Sequence, residues 1–440
     1  MVSLGCAKNL VDSEVMLGVL KDKGFRLVAD ETQADLIVVN TCAFLQSAVE
    51  EGIDRILELS ELKSEGRLKR LIVAGCMVER YRGDLEKSLP EVDRFLSIDE
   101  LLSVADTSAT TDACLEEARR PYFLYDETMP RVQSTTGAQA YVKVAEGCNR
   151  PCAFCIIPKL RGTLRSRPAS SILSEAQQLV TSGVRELTLV AQDLTAYGTD
   201  LVAASPESDD LGALAEAGDP FWVRLLYAYP IGVNEKLLQT IIESKVVCNY
   251  LDIPLQHISA AVLKRMKRPL GAKGTRRLVE MMRAGFPEIS LRTTFVVGFP
   301  GETEADVAEL EEFILQGHFE HLGIFPYSQE EEAASYTFDE QVAPELAIER
   351  RDRLMAAQQK VVFERLANSI GQKRRVLIDG EHKETELLLS ARSETQGPEG
   401  DGITIINDAD RNEQLVGRFG MVEITETAGY DLVGTLESVE

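Results

Sequence analysis

The chain has 440 residues, 44% hydrophobic and 27% charged, with a formal net charge of −24. That length exceeds one ordinary core and calls for two or three domains, and the composition excludes a disordered chain. No run approaches the roughly 18 uninterrupted apolar residues of a membrane span, and the opening Met1–Cys6 lacks a charged leader ahead of an apolar stretch, so no membrane association and a cytoplasmic location are expected.

The acidic balance repels phosphate backbones on average and attracts basic partners, although acidity also serves solubility alone. The eight cysteines and four histidines leave little for a Cys/His zinc site. In a reducing compartment, clustered cysteines point to metal binding or catalysis rather than disulfides.

In chain order, short apolar runs at Met1–Leu4, Leu36–Val39 and Leu71–Ala74 alternate with helical patterns near Val11–Lys23 and Ala48–Leu62. This βαβ alternation predicts a parallel sheet. Cys6, Cys42 and Cys76 each sit just past one of these runs. The carboxyl ends of parallel strands share one edge, where ligands bind, so the topology gathers the three thiols. The alternative is three small buried hydrophobes.

From Asp106 to Gly137 periodicity disappears, which predicts a linker with Cys114 incidental inside it. Six β-like runs follow, at Tyr141–Ala145, Glu186–Ala191, Val223–Tyr227, Tyr250–Ile253, Ser290–Val297 and His321–Phe325. Helical patterns at Ser171–Ser182, Asn234–Ser244, Gly274–Ala284 and Glu304–Gln316 separate most of them. Six β/α units suggest a partial TIM-like barrel with its chemistry at the carboxyl ends of the strands. Asp200–Asp219 looks like an acidic surface insertion, and a charged helix over Pro344–Asn368 closes the unit.

Short strands at Arg374–Ile378, Gly402–Asn407, Phe419–Ile424 and Asp431–Thr435 then predict a small β-barrel. The expected fold is therefore a multidomain α/β chain. It has an amino-terminal parallel-sheet domain (1–112), a linker (113–136), a (β/α)6 partial barrel (137–368) and a carboxyl-terminal β-barrel (369–440).

The most specific motif is Cys148-x3-Cys152-x2-Cys155, directly after the first barrel strand. Iron–sulfur cubanes usually take four thiolates. Three local thiolates hold three irons and leave one open to chelate the amino and carboxylate groups of S-adenosylmethionine (SAM). Electron transfer to the sulfonium then releases a 5′-deoxyadenosyl radical, the cofactor carrying the difficult chemistry. A zinc loop needs a fourth ligand nearby, and Cys248 and His257 are remote.

A C-x3-C-x2-C loop at the first strand of a partial barrel, with the triad Cys6, Cys42 and Cys76 upstream, resembles the radical-SAM methylthiotransferases over nearly the whole chain. Val2–Glu14, Ala191-Gln192-Asp193, Tyr250–His257 and Pro326-Tyr327-Ser328 are most similar to the subgroup acting on small-subunit ribosomal protein twelve. Where that subgroup usually has proline after its first cysteine, Ala7 stands here. The resemblance implies a TRAM-like terminal barrel and two 4Fe-4S clusters, one on each cysteine triad. One SAM would supply the methyl group and another the radical that abstracts hydrogen from an aspartate β-carbon. It also implies a low-potential electron donor and a sulfur source as partners.

Candidate SAM contacts are Phe154 in the cysteine loop, Gln192, Gln256 and Thr294 near strand ends, and Gly298, where a glycine lets backbone approach a ligand. Asp193 lies at another strand end. Lys159, Arg161, Arg165 and Arg167 form a basic run that pairs with a carboxylate or forms a solvated face. His257 is expected to be structural.

TRAM-like barrels often bind RNA, yet residues 371–440 hold 7 Lys/Arg against 15 Asp/Glu, a net of −8. An RNA-binding barrel should be basic, and this one suits a basic ribosomal protein, with the turn Pro398–Gly402 contributing acidity. Lys373-Arg374-Arg375 keeps tRNA open as the alternative substrate. A non-catalytic electron carrier is the third reading, and SAM cleavage would exclude it.

Overall fold

The computed structural model describes residues 1–106, 124–135, 138–201, 220–408 and 414–440. Strands β1 (Val2–Ser3), β2 (Leu36–Thr41), β3 (Arg70–Gly75) and β4 (Arg94–Leu96) form an all-parallel sheet in that order. β2 and β3 are almost continuously apolar because helices cover both sheet faces. Helix α2 (Gln46–Ser64) turns Val49, Gly52, Ile56 and Leu59 inward at helical spacing. Ile56 and Leu59 are fully buried, each stabilising by about 1.5–3 kcal/mol. β4 and the 3-10 segment Ile98–Ala105 escape sequence patterning because they are too short to show a period.

Helix α1 (Ala7–Asp22) starts at the residue after Cys6, four residues earlier than its apolar period suggests. It has no polar face: Met16 and Leu20 pack on the sheet, while Val11 and Val15 pack toward Tyr141 of the next domain. Lys8, Asn9, Asp12 and Glu14 are consequently buried too.

The second domain contains β5 (Gln139–Lys143), the small ladder β6 (Ala145–Glu146) with β7 (Arg165–Ser166), then β8 (Glu186–Val190), β9 (Trp222–Leu225), β10 (Tyr250–Asp252), β11 (Ser290–Val297) and β12 (His321–Pro326). β5-β8-β9 and β10-β11-β12 are two parallel arcs. Ala228 N donates to Asp252 O at 2.8 Å and joins them. In β11 Leu291, Phe295 and Val297 pack under the helices, while Arg292, Thr294 and Val296 are only partly covered. That alternation separates the helical layer from the inner face of the partial barrel.

The last strands, β13 (Lys373–His382), β14 (Thr385–Ser393), β15 (Thr404–Ile406), β16 (Phe419–Ala428) and β17 (Asp431–Val439), close into a barrel ordered β13-β14-β15-β17-β16. β14 is unexpected: its Leu387-Leu388-Leu389 run favours helix as much as strand, and antiparallel pairing with β13 decides.

Two segments carry more contacts than their patterns suggest. Residues 124–135, inside the expected linker, form a packed strap. Tyr125 is buried with its hydroxyl on Glu175, and Arg131 bridges Glu14 and Glu175 at 2.6 Å each. The turn Pro398–Gly402 divides its acidity: Asp401 is buried, while Glu399 stays exposed. Tyr141 donates to Glu399 at 2.7 Å and Tyr250 to Asp401 at 2.5 Å, and Arg292 lies 3.3 Å from Asp401. The radical-domain strand starts need these carboxylates to compensate buried tyrosine hydroxyls and a guanidinium. Cys114 and most of the acidic insertion lie outside the described residues, although Asp200 accepts from Ser166 N and Oγ.

Candidate active site

Two thiol triads stand at strand carboxyl ends. In the first, Cys6 is the N-cap of α1, Cys42 follows β2, and Cys76 opens helix α3 (Cys76–Ser88) directly after β3. Gly5 adopts φ +93°, and a Cβ there would lie 2.7 Å from Cys42 Cβ. Gly75, at φ +96°, would put a Cβ 2.3 Å from Asn40 Oδ1. Both turns therefore require glycine. Asn9 knits the three loops: its Nδ2 donates to Leu4 O at 3.0 Å and Thr41 O at 2.9 Å, and its Oδ1 lies 3.7 Å from Cys76 Sγ.

A buried charge network backs this triad. Arg161 Nη2 lies 3.2 Å from Cys76 Sγ, and Nη1 donates to Asp12 at 2.8 Å and to Glu146 at 3.1 Å. Lys143 bridges Asp12 and Glu146. Lys8 lies over the Tyr227 ring at 4.0 Å, with Nζ 3.5 Å from Ala191 O. Burial pushes the Cys76 thiol up to about 12 and the Cys42 thiol upward as well. Ligation must therefore displace protons, helped by the helix N-termini at Cys6 and Cys76.

The second triad lies on one loop. Gly147, at φ +79°, precedes Cys148, and a Cβ there would lie 2.1 Å from Thr163 O. Cys148 N donates to Gly162 O at 3.1 Å, and Ala153 N to Met266 O at 3.0 Å. Arg150 N donates to Cys148 Sγ at 3.4 Å, while Arg268 Nη1 lies 3.6 Å and Tyr229 OH 4.0 Å from Cys152 Sγ. The guanidiniums of Arg150 and Arg268 lie 4.4 and 4.2 Å from the Tyr229 ring centroid, and Arg150 pairs with Asp193 at 2.6 Å. Burial raises Cys148 and pushes Cys155 up to about 12.

Among the described residues no three Cys, His, Asp or Glu side chains converge on a single metal ion. An iron–sulfur cube takes one thiolate per iron, and each triad offers three.

The remaining candidates scatter. Phe154 packs edge-on against Phe299 with ring centroids 6.5 Å apart. Gln192 donates to Glu146 and leaves its Oε1 unpartnered. Gln256 takes a left-handed φ of +73°, a strained backbone for a non-glycine residue, and its N donates to Thr294 O at 2.8 Å. At Gly298 a Cβ would lie 2.4 Å from Ala347 Cβ, so packing against the helix Pro344–Ala367 by itself calls for glycine there.

The basic run is also reassigned. Lys159 donates to Glu332 O, Arg161 enters the network above, Arg165 donates to Arg161 O, and buried Arg167 pairs with Glu175 at 2.5 Å. His257 is fully buried, accepting from Ser259 N at 2.9 Å. Sequence reasoning missed Arg150, Arg268, Tyr229, Lys143 and Glu146. It also missed Asn9 and Asp12, whose signal was polar residues on a helix with no solvated face. A groove of about 820 Å³ lined by strand-start residues Trp222, Ser290 and His321, with Arg374 and Gln358, lies at the opposite barrel end from the cysteines.

Comparison with known proteins agrees with this layout. Residues 1–97 match the uncharacterized protein family UPF0004, residues 142–314 the radical SAM superfamily and residues 370–436 the TRAM domain. Fold and site thus define a radical-SAM enzyme, a class that uses a 4Fe-4S cluster and SAM, flanked by UPF0004 and TRAM domains. The chain is 46% identical over 437 residues to the ribosomal protein uS12 methylthiotransferase RimO of Solibacter usitatus, covering 99% of this chain and 94% of that one. It is 44% identical to the namesake of Trichlorobacter lovleyi, covering 99% and 97%. The chain belongs to the family of ribosomal protein uS12 methylthiotransferases. The solved radical S-adenosylmethionine methyltransferase TsrM of Kitasatospora setae shares the fold alone, with a TM-score of 0.52 at 15% identity over 73% of this chain and 70% of that one.

Proposed function

We propose that this enzyme inserts a methylthio group at an aspartate β-carbon of small-subunit ribosomal protein twelve (uS12), using a 4Fe-4S cluster on each cysteine triad. The observation that carries the reading is the presence of two separate three-thiol sets, both at strand carboxyl ends, in a chain of this family. When bound, the cofactors supply a 5′-deoxyadenosyl radical, which an unactivated C–H bond requires because it offers no acidic proton or leaving group.

The chain's own residues do the rest. Cys148, Cys152 and Cys155 would hold the radical-generating cluster, while Arg150 and Arg268 place positive charge beside those sulfurs. Cys6, Cys42 and Cys76 would hold the second cluster, which would supply the sulfur chemistry. Phe154, Gln192, Gln256, Thr294 and Gly298 remain the proposed SAM contacts. The proposed location is the cytoplasm; among the described residues no helix is long and apolar enough to cross a membrane. The domain boundaries stay as drawn from the sequence, with 124–135 packed on the radical domain.

tRNA is the second reading, and one observation weighs against it. In the run 373–375, Lys373 pairs with Glu437 at 2.6 Å and Arg375 with Glu440 at 2.5 Å. Two of the three cations in that run are thereby matched by carboxylates, against the basic footprint that RNA binding calls for.

The test is an anaerobic reaction of reconstituted enzyme with SAM, sulfide and a strong reductant, offering small ribosomal subunits and bulk tRNA in parallel. Mass spectrometry should find the methylthio group on an aspartate of uS12. The same group on a tRNA base would overturn the substrate assignment.

A further inference from the structure

One dipeptide touches both cysteine triads. The Arg161 guanidinium, 5% exposed, divides its fork. Nη2 faces Cys76 Sγ at 3.2 Å and also donates to Asn9 Oδ1, while Nη1 serves Asp12 and Glu146. The next residue, Gly162, accepts from Cys148 N at 3.1 Å. Glu146 stands two residues before Cys148. Arg165 donates to Arg161 O at 3.1 Å and steadies the backbone between the two contacts.

A planar fork can hold two carboxylates with one nitrogen and a sulfur with the other; a lysine ammonium is a single point. A charged N–H donor on a ligand sulfur draws electron density from it and stabilises the reduced, more negative form of an iron–sulfur cluster. In a buried site that effect is weakly screened.

We propose that Arg161 is a positioning residue for the cluster on the amino-terminal triad, raising its reduction potential through Cys76 and, with Gly162, holding it in register with the Cys148 loop. The inference rests on the two-cluster reading above.

The experiment uses the full chain with Cys148, Cys152 and Cys155 all changed to alanine, so that only the amino-terminal cluster can assemble. Iron and acid-labile sulfide are counted. The midpoint potential is then read by electron paramagnetic resonance during one-electron reduction with dithionite, for Arg161, R161K and R161Q. R161K keeps Asp12 and Glu146 compensated, so it remains informative if R161Q fails to fold.

With Arg161 intact, a cluster should form. In R161Q the reduced-to-oxidised ratio at fixed potential should fall about tenfold, equivalent to about 59 mV for one electron, with R161K between. Equal potentials in the parent and R161K overturn the inference and leave two clusters standing. No iron in the parent triple variant overturns the two-cluster reading, and the inference with it.

Discussion

The two cysteine triads reach similar chemistry by opposite routes. Cys148, Cys152 and Cys155 are neighbours on one loop, positioned by backbone bonds to Gly162 and Met266 and flanked by Arg150, Arg268 and Tyr229. Cys6, Cys42 and Cys76 come from three strand ends and meet because a parallel sheet aligns those ends, Asn9 ties the loops and Gly5 permits their approach. A local triad needs only its loop, whereas a dispersed one needs a whole domain to be correct. The dispersed triad accordingly sits on a buried charge network, and the local one lies beside cations stacked on a tyrosine.

The largest expected effect separates the triads outright. Cys148→Ala should abolish SAM cleavage, while Cys42→Ala should spare cleavage and stop methylthiolation, both read by chromatography of 5′-deoxyadenosine and by mass spectrometry of uS12. Methylthiolated product from Cys42→Ala would end the division of labour.

Next in size is the network. Lys143→Met strips a buried cation from Asp12 and Glu146 and should destabilise the apoprotein by about 3–5 kcal/mol. Urea unfolding checks it; a loss below about 1 kcal/mol would show that the charges are solvated and not a domain clamp.

A smaller effect depends on pH. Burial raises the folded Cys76 and Cys155 thiols from an ordinary 9.0 to about 12, so the folded apoprotein holds those protons more tightly than the unfolded chain does. Stability is full below about pH 9 and is lost as pH rises toward about 12. Ligated thiolates carry no such proton, so the slope should vanish in the cluster-loaded enzyme. Apoprotein unfolding midpoints that stay flat through this window would contradict the buried, protonated thiols.

The smallest effect is a control. Cys248 is buried beside Arg224 and belongs to neither triad. Cys248→Ala should cost about 1 kcal/mol and leave iron content and spectra unchanged. Lost iron would make it a ligand.

Much of the fold was legible because hydrophobic period is a local property. β11 and the helix Glu304–Leu315 lie where their patterns place them. Where pattern was short or ambiguous it failed, as at β4 and at the leucine run of β14. Gly298 shows another limit: a glycine's φ and turn context are local, but what its missing side chain admits is set by a helix that begins 46 residues later.

The sequence by itself determined the Cys148 loop, because its ligands are neighbours on one short stretch, and the strand-then-cysteine rhythm of Cys6, Cys42 and Cys76, because helix and strand periods are written in consecutive residues. Only the tertiary structure decided the partners of charge. Arg161 faces Cys76 rather than a substrate carboxylate, Asp401 turns into the radical domain, and Arg131 clamps a strap across α1. A buried charge is stable only where an opposite charge or hydrogen-bond partner meets it. Those partners come from segments far apart in the chain, so no local pattern could name them.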